Sequence, residues 1–150
     1  MSYRTVDEFA NFSFKDAHIS SMKRKNGHFV AVLDAVKILS SNSCNRDIRD
    51  MGTNELELKL QDGVITEFIL EGCKIYNADG VLMEQKDDAA VEPEKYDEVL
   101  KTVTDSYIYD ITKENDIYTI LIDGEDDSYT IKVKAVHDTE QWERFMSPSV

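Results

Sequence analysis

The sequence predicts a mainly β fold, an antiparallel sandwich or flattened barrel built from two related hairpin modules. Three observations support this. Short alternating segments rich in β-branched residues are joined by turn residues, one stretch occurs twice, and only one helix shows a clear amphipathic pattern. With 150 residues and a 41% apolar fraction, the chain is expected to form a single domain over residues 1–150.

The repeated stretch covers residues 16–34 and 105–123, at an offset of 89 positions. Asp16-Ala17-His18-Ile19 recurs as Asp105-Ser106-Tyr107-Ile108. Both copies have an acidic start, an apolar run, a polar turn around Asn, a second apolar run and a closing Asp. This order predicts an internal pseudo-repeat in which one β-hairpin is used twice.

The N-terminal part predicts a short helix followed by the first hairpin. Thr5 with Glu8 three residues later fits a capping box, and Val6, Phe9 and Ala10 would form the apolar stripe. A strand over 16–23 then turns at Asn26-Gly27. Residues 28–39 also fit helical spacing, but their counterpart 117–122 is β-branched and aromatic, which favours one long strand.

The middle of the chain contains a long polar loop and a series of short strands. Residues 40–54 show no regular element and are either a functional loop or a surface excursion with partial disorder. Strands are expected over 55–61, 64–70, 73–76 and 81–83, with a break at Glu71-Gly72. The acidic segment 84–93 is the expected joint between the two halves.

The second half opens with the clearest helical signal. Pro93 suits a first helical turn, and an apolar stripe follows at Tyr96, Val99, Leu100 and Val103. The second hairpin, the acidic turn 123–127 and a one-sided strand over 129–135 come next. A last short helix is expected, with Asp138 as its cap, a buried side of Trp142, Phe145 and Met146, and Pro148 at its end. The predicted fold thus has one clear helix, with the stripe from Tyr96 to Val103, and two short helices near the chain termini.

The charge balance restricts the partners. The formal net charge of −13 repels nucleic acids and anionic lipids, so neither is expected to bind. A basic protein partner suits such a surface. No apolar run reaches the ~20 residues of a membrane span, and no secretory signal is apparent, so a bacterial-type cytoplasm is expected. The oligomeric state is left open.

No pattern in the sequence indicates catalysis. His18, His28 and His137 form no metal-binding motif, and the acidic turn 123–127 lacks the spacing of a calcium loop. No phosphate loop or nucleophile elbow is present. We therefore expect a protein that is not an enzyme, with no catalytic, cofactor-binding or metal-binding residues and no cofactor.

The apolar residues of the two hairpins are the candidates for a ligand or partner patch. These residues are Phe29, Val32, Tyr107, Tyr118 and Ile120. Core packing is the ordinary role of such residues in strands. Two other roles stay open for them: the wall of a cavity for a small apolar ligand, or a surface that faces a partner protein.

Part of the first half resembles known families. The segment Phe14-Lys15-Asp16-Ala17-His18-Ile19, a hairpin, and Leu-rich strands ending at Gly72-Cys73 resemble the opening of several small bacterial families. These begin with a Phe-His-Asp-Ala or Phe-His-Asp-Ser motif, include immunity-type proteins, and have His where this chain has Lys15. The resemblance implies a protein that binds and blocks a cognate toxin. The expected function is thus that of a non-enzymatic, acidic binding protein of immunity-like type; the alternative is a small apolar-ligand-binding β protein.

Overall fold

A computed structural model describes residues 2–147 of the chain, with fifteen strands and one α-helix in that range. The strands of the first half are β1 (Tyr3–Val6), β2 (Phe12–Ser13), β3 (His18–Lys25), β4 (His28–Asp34), β5 (Val36–Ile38), β6 (Met51–Thr53), β7 (Leu56–Leu60), β8 (Val64–Leu70), β9 (Cys73–Tyr76), β10 (Leu82–Lys86) and β11 (Ala89–Ala90). Helix α1 (Tyr96–Thr102) precedes β12 (Tyr107–Glu114), β13 (Ile117–Asp123), β14 (Ser128–Lys134) and β15 (Asp138–Trp142). The predicted mainly β class is confirmed.

Ten strands form one sheet in the order β1-β15-β7-β4-β3-β12-β13-β14-β8-β11. All neighbouring strands in it are antiparallel. Strands β2, β5 and β6 form a small second sheet, and β9 and β10 form a separate hairpin. The two ends of the large sheet, β1 and β11, do not pair with each other in the described chain. The sheet is therefore open, and the barrel alternative is wrong.

The large sheet folds over on itself and encloses one core. The Tyr118 hydroxyl of β13 donates a hydrogen bond of 2.6 Å to Asp138 Oδ1 of β15, although four strands separate these two in the sheet order. A Cβ added to Gly63 would lie 2.9 Å from Val133 of one half and 3.2 Å from Phe29 of the other. The halves therefore face each other as the two layers of a sandwich.

The two hairpins of the repeat match strand for strand. Strands β3 and β12 have eight residues each, β4 and β13 have seven, and each pair is offset by 89 positions. Both hairpins have a β-bulge at the same place, at Ser20 and at Tyr109. The left-handed backbone positions also correspond: φ is 54° at Asn26 and 56° at Asn115. The hairpins therefore share their local geometry as well as their order of residue types.

The two hairpins meet at a local twofold axis. His18 and Tyr107, which are equivalent in the repeat, are Cα partners between β3 and β12. The Ile19 amide donates to Ser106 O at 2.8 Å, and the equivalent Ile108 amide donates to Ala17 O at 2.7 Å. Such reciprocal bonds are what a twofold axis between His18 and Tyr107 requires.

The outer strands are exchanged between the halves. Strand β7 pairs with β4, but the next strand, β8, crosses over and pairs with β14 of the second half. Strand β14 pairs with β13, and β15 returns to pair with β7. The first half of the sheet thus contains β15 from the end of the chain, and the second half contains β8 and β11 from before the helix. Neither half is formed by one continuous segment.

The predicted amphipathic helix is confirmed as a 3-10 turn over Pro93–Lys95 that continues into α1. Its apolar side is anchored by Leu100, which is fully buried, and by Val103 just beyond its end. The ring of Tyr96 stacks on Phe68 of β8 with centroids 5.5 Å apart. The helix therefore seals the core beside β8.

Both predicted terminal helices are wrong as full helices. At the N-terminus, the segment with Thr5 and Val6 is strand β1, and only Phe9–Asn11 forms a 3-10 turn, which includes Phe9 and Ala10 of the predicted stripe. At the C-terminus, the segment from Asp138 to Trp142 is strand β15. The two strands pair with each other, and these long-range backbone hydrogen bonds override the local capping signals. Pro148 lies outside the described residues.

Two further expectations need correction, and the first hairpin has an irregular register. The long strand over 28–39 is not helical, but it breaks at Ala35, where φ is 58°, into β4 and β5. The bulge at Ser20 makes His18 a partner of Asp34, whereas a regular two-residue hairpin would pair His18 with Ala35. The joint expected at 84–93 contains β10 and β11, and β11 is paired to β8.

No helix in residues 2–147 has the length and apolar character needed to cross a membrane.

Candidate functional site

The most exposed structured element is the hairpin formed by β9 and β10, which we call the arm (residues 73–86). It extends from the end of β8 and returns to β11, and these two strands pair with each other at its base. The turn at its tip is closed by Asn77, whose side-chain oxygen accepts hydrogen bonds of 2.9 Å from the amides of Asp79 and Val81. Every residue of β9 and β10 is solvent-exposed, so both faces of the arm are free.

The arm exposes a group of large apolar side chains. They are Ile75, Tyr76, Val81, Leu82 and Met83, each between 44% and 66% exposed. Tyr76 and Leu82 are direct cross-strand partners, and Met83 lies in a bulge beside them. A two-stranded hairpin is only marginally stable alone, and exposed contiguous apolar surface is typical of binding sites. The arm therefore has the properties of an interaction element.

Acidic residues surround the arm. Residues 71–98 contain nine acidic and three basic side chains. The acidic turn 123–127 lies next to the arm's base, because the Glu71 amide donates to Ser128 O at 2.9 Å and Thr130 donates to the Glu71 carboxylate at 2.7 Å. The apolar group is thus set in a strongly negative surface, which favours a partner with positive charge.

The base of the arm requires a glycine. The Gly72 amide donates to Asp88 Oδ1 at 2.6 Å, where the chain leaves β8 beside the returning strand. A Cβ at Gly72 would lie 2.1 Å from Lys86 O and 2.6 Å from Asp87 C, which are backbone atoms that cannot move away as side chains do. The predicted break at Glu71-Gly72 is confirmed, and it fixes the point from which the arm projects.

A second unusual feature is a pair of acids in the core. Asp138 and Glu140 lie on the same face of β15 and are both fully buried. Glu140 Oε1 accepts a hydrogen bond of 2.7 Å from the Thr5 hydroxyl, and Asp138 Oδ1 accepts one from Tyr118. Lys113 Nζ lies 3.8 Å from Asp138. Asp138 Oδ2 and Glu140 Oε2 have no partner among the described residues.

A shared proton explains this pair. Burial raises the pKa of Glu140 to about 10, and the neighbouring Asp138 adds to this shift through hydrogen bonding and through its charge. The buried pair therefore keeps a proton at neutral pH, and this proton lets one carboxyl group act as a donor to the other. Burial and the bond to Asp138 also raise the pKa of Tyr118, so its hydroxyl remains a donor. The group stabilises the contact between β13, β15 and β1.

The structure does not bring the five predicted patch residues together on one surface. Phe29, Tyr118 and Ile120 are in the core, with 0–1% exposure, and there they pack rather than bind. Val32 is half-buried on the opposite face of β4 from Phe29. Tyr107 is 53% exposed and packs edge-on against His18 with ring centroids 5.5 Å apart.

The histidines contact carboxylates one at a time or in pairs. His18 bridges Asp34 (3.1 Å) and Asp105 (3.0 Å), and His137 contacts Asp7 at 2.8 Å. Within residues 2–147, no group of three or more His, Cys, Asp or Glu side chains is arranged to hold a metal ion. These contacts fasten strand ends. His18 joins the two strands of its own hairpin through Asp34, whereas the contacts His18–Asp105 and His137–Asp7 join elements that are far apart in sequence.

Sequence reasoning identified the arm's strands but not their exposure. The turn residues Asn77 to Gly80 between the segments 73–76 and 81–83 predict two sheet strands, and the acidic residues that follow are the sequence signal of a free surface. The buried acids gave no signal, because Asp138 and Glu140 are typical of a helix start in solvent. Their partners Thr5 and Tyr118 are 135 and 20 positions away.

Comparison with family models, with curated proteins and with solved structures found no match to this chain.

Proposed function

We propose that the protein is a non-enzymatic binding protein that holds a basic protein partner on the arm. The observation that carries the proposal is the exposed apolar group on an ordered hairpin that is free on both faces. Tyrosines such as Tyr76 are enriched at the energetic centres of protein interfaces, and its cross-strand partner Leu82 extends the apolar surface beside it. The acids around them supply the charged rim, which guides association and selects the partner's charge.

An immunity-type role is the specific form of this proposal. It rests on the resemblance of the segment from Phe14 to Ile19 to immunity-type families and on the acidic surface. In that role the partner is a basic toxin, and the arm blocks it by occupying its surface. Such blocking needs affinity and shape, and no reaction.

The experiment compares the protein with an arm variant as bait in extracts of its source cells. The arm variant is Tyr76→Ser with Leu82→Ser. The control is Val64→Ser with Val136→Ser, which removes two valines that are equally exposed, at 60% and 61%. Val64 is at the opposite end of β8 from the arm. The partner captured by the wild-type protein is then purified and titrated against all three proteins by calorimetry.

The expected result is a basic protein whose affinity falls at least tenfold with the arm variant and stays unchanged with the control. Raising the salt concentration to about 0.5 M should weaken binding further, because the acidic rim is exposed. Capture of acidic proteins, or equal binding by the arm variant, would overturn the proposal. If the partner is a toxin, co-expression of the wild-type protein should restore growth, and co-expression of the arm variant should not.

A further inference from the structure

A cavity of about 550 Å³ lies where the loop of residues 39–50 meets strand β1 and the segment that follows β15. Its walls include Tyr3 of β1, Met51 at the start of β6, Phe145 beyond β15, and the loop residues Cys44 to Asp47. The volume is within the usual range of small-molecule sites, about 300–1,000 Å³. None of the five apolar residues of the predicted patch lines it.

The floor of the cavity is aromatic. Tyr3 and Phe145 meet edge to face with ring centroids 4.8 Å apart. Below them is Trp142, which stacks on Tyr3 at 5.7 Å and meets Phe145 edge-on at 5.7 Å. Tyr3 and Phe145 are only partly buried, so they leave ring surface for a flat apolar group.

The loop that forms the wall is fixed in place. Asn45 is 8% exposed, and its side-chain nitrogen donates to the carbonyls of Ile38, Leu39 and Arg49 at 3.0–3.2 Å. The Glu8 carboxylate accepts hydrogen bonds from the amide and hydroxyl of Ser43. The loop is therefore ordered by its own side chains, and a ligand would meet a preformed wall.

The charge of this region differs from that of the rest of the protein. Four of the chain's five arginines, Arg4, Arg46, Arg49 and Arg144, are in the three segments that form the cavity. Asp47 of the wall is paired with Arg49 at 3.4 Å. Arg46 lines the cavity, is exposed, and forms no ion pair with any residue between 2 and 147. Its guanidinium is free to bind an anion.

We infer that this cavity binds a small aromatic carboxylate, whose ring rests on Tyr3 and Phe145 and whose carboxylate is held by Arg46. An arginine binds a carboxylate through two parallel N–H donors, and the adjacent rings bury the apolar body. The site is separate from the arm and independent of the proposed protein partner.

The test uses the only tryptophan of the sequence as a reporter, because Trp142 touches both floor residues. 3-Phenylpropionate is titrated while the Trp142 emission is recorded, and 3-phenylpropanol serves as the neutral probe of the same shape. The acid should bind at least about tenfold more tightly than the alcohol, since a hydrogen bond to a charged group contributes about 1.5–3 kcal/mol.

Variants locate the site. Arg46→Gln should reduce the affinity for the acid at least tenfold and leave the affinity for the alcohol unchanged. Arg144→Gln removes the same charge from an exposed position nearby that does not line the cavity, and it should change the affinity less than threefold. Equal affinity for acid and alcohol, no saturation by either probe below about 10 mM, or no effect of Arg46→Gln would each overturn the inference.

Discussion

Strands β8 and β15 occupy equivalent places in the two halves, but they put opposite chemistry into the core. In the second half, Ile131 and Val133 of β14 are opposite Phe68 and Ile65 of β8. In the first half, Leu58 and Leu60 of β7 are opposite Glu140 and Asp138 of β15. One outer strand thus fills its core positions with apolar groups, and the other fills the same positions with two acids.

This difference shows that the acid pair is not a requirement of the fold. The β8 half reaches the same strand arrangement with ordinary hydrophobic packing around Phe68, Tyr96 and Tyr129. The β15 half uses a directional network instead, in which Thr5 and Tyr118 each bond to one acid. Such a network fixes register and position more strictly than apolar packing does, because each hydrogen bond has one geometry.

The largest effect is expected from placing an acid in the apolar half. Phe68→Glu removes a fully buried ring and buries a carboxyl group without a hydroxyl donor such as Thr5, which bonds to Glu140. The free energy of unfolding should fall by at least about 4 kcal/mol, which combines the lost packing with the desolvation of the acid. Urea denaturation at pH 7 measures this change.

Glu67→Gln is the matched control on the same strand. Its side chain is partly exposed and pairs with Lys132 at 3.3 Å, so the loss should be below about 1 kcal/mol. A fall in the free energy of unfolding of less than about 1 kcal/mol for Phe68→Glu would mean that the two halves tolerate a buried acid equally well.

The pH dependence of stability gives the second effect. Glu140 has a pKa of about 10 in the folded protein, against its usual 4.5 in the unfolded chain. Between these values the folded state binds the extra proton, so stability is greatest at the acidic end and falls as pH rises. Over this range, Glu140 should lower the free energy of unfolding by about 1.4 kcal/mol for each pH unit.

Glu140→Gln should therefore flatten the pH dependence, because the amide cannot ionise and still has N–H groups to donate to Asp138. Between pH 6 and pH 8, the free energy of unfolding should fall by about 3 kcal/mol more for the wild type than for the variant. Glu57→Gln, at an exposed position on β7, should keep the wild-type slope. Parallel stability curves for wild type and Glu140→Gln would show that the acids ionise normally in the folded state.

The smallest effect concerns the twofold axis. His18→Tyr makes the two residues at the axis identical, since Tyr107 is its partner, and it removes the contacts with Asp34 and Asp105. These contacts are partly exposed, so the free energy of unfolding should fall by no more than about 1 kcal/mol. Thermal unfolding of His18→Tyr beside the reverse change, Tyr107→His, tests this. A loss above about 2 kcal/mol would assign His18 a larger structural role than its equivalent.

The sequence was sufficient for the class of fold and for the elements that depend on local signals. Asn26-Gly27 fixes a tight turn, Pro93 and the stripe from Tyr96 to Val103 fix a helix, and the spacing of 89 positions relates two hairpins. The turn and helix signals involve neighbouring residues, so each can be interpreted from one short stretch. The repeat is found by comparing two stretches of the same sequence.

The candidate sites were less predictable. The sequence predicts the strands of the arm. Whether other parts of the chain cover these strands depends on tertiary packing, which the sequence of residues 73–86 does not determine. The polar composition of residues 40–54 predicts a functional or surface loop, but the rigidity of its wall depends on the hydrogen bonds from Asn45 to three carbonyls. The cavity also needs Tyr3 and Phe145, which come from opposite ends of the chain.

By itself, then, the sequence determined an antiparallel β protein with one helix, two similar hairpins and a strongly acidic surface. The tertiary structure alone decided that β1 and β15 are strands, that the outer strands exchange between halves, and that two acids are buried. The physical reason is common to all three. Each depends on partners far apart in the chain, since a strand needs a neighbour for its backbone hydrogen bonds and a buried acid needs a donor.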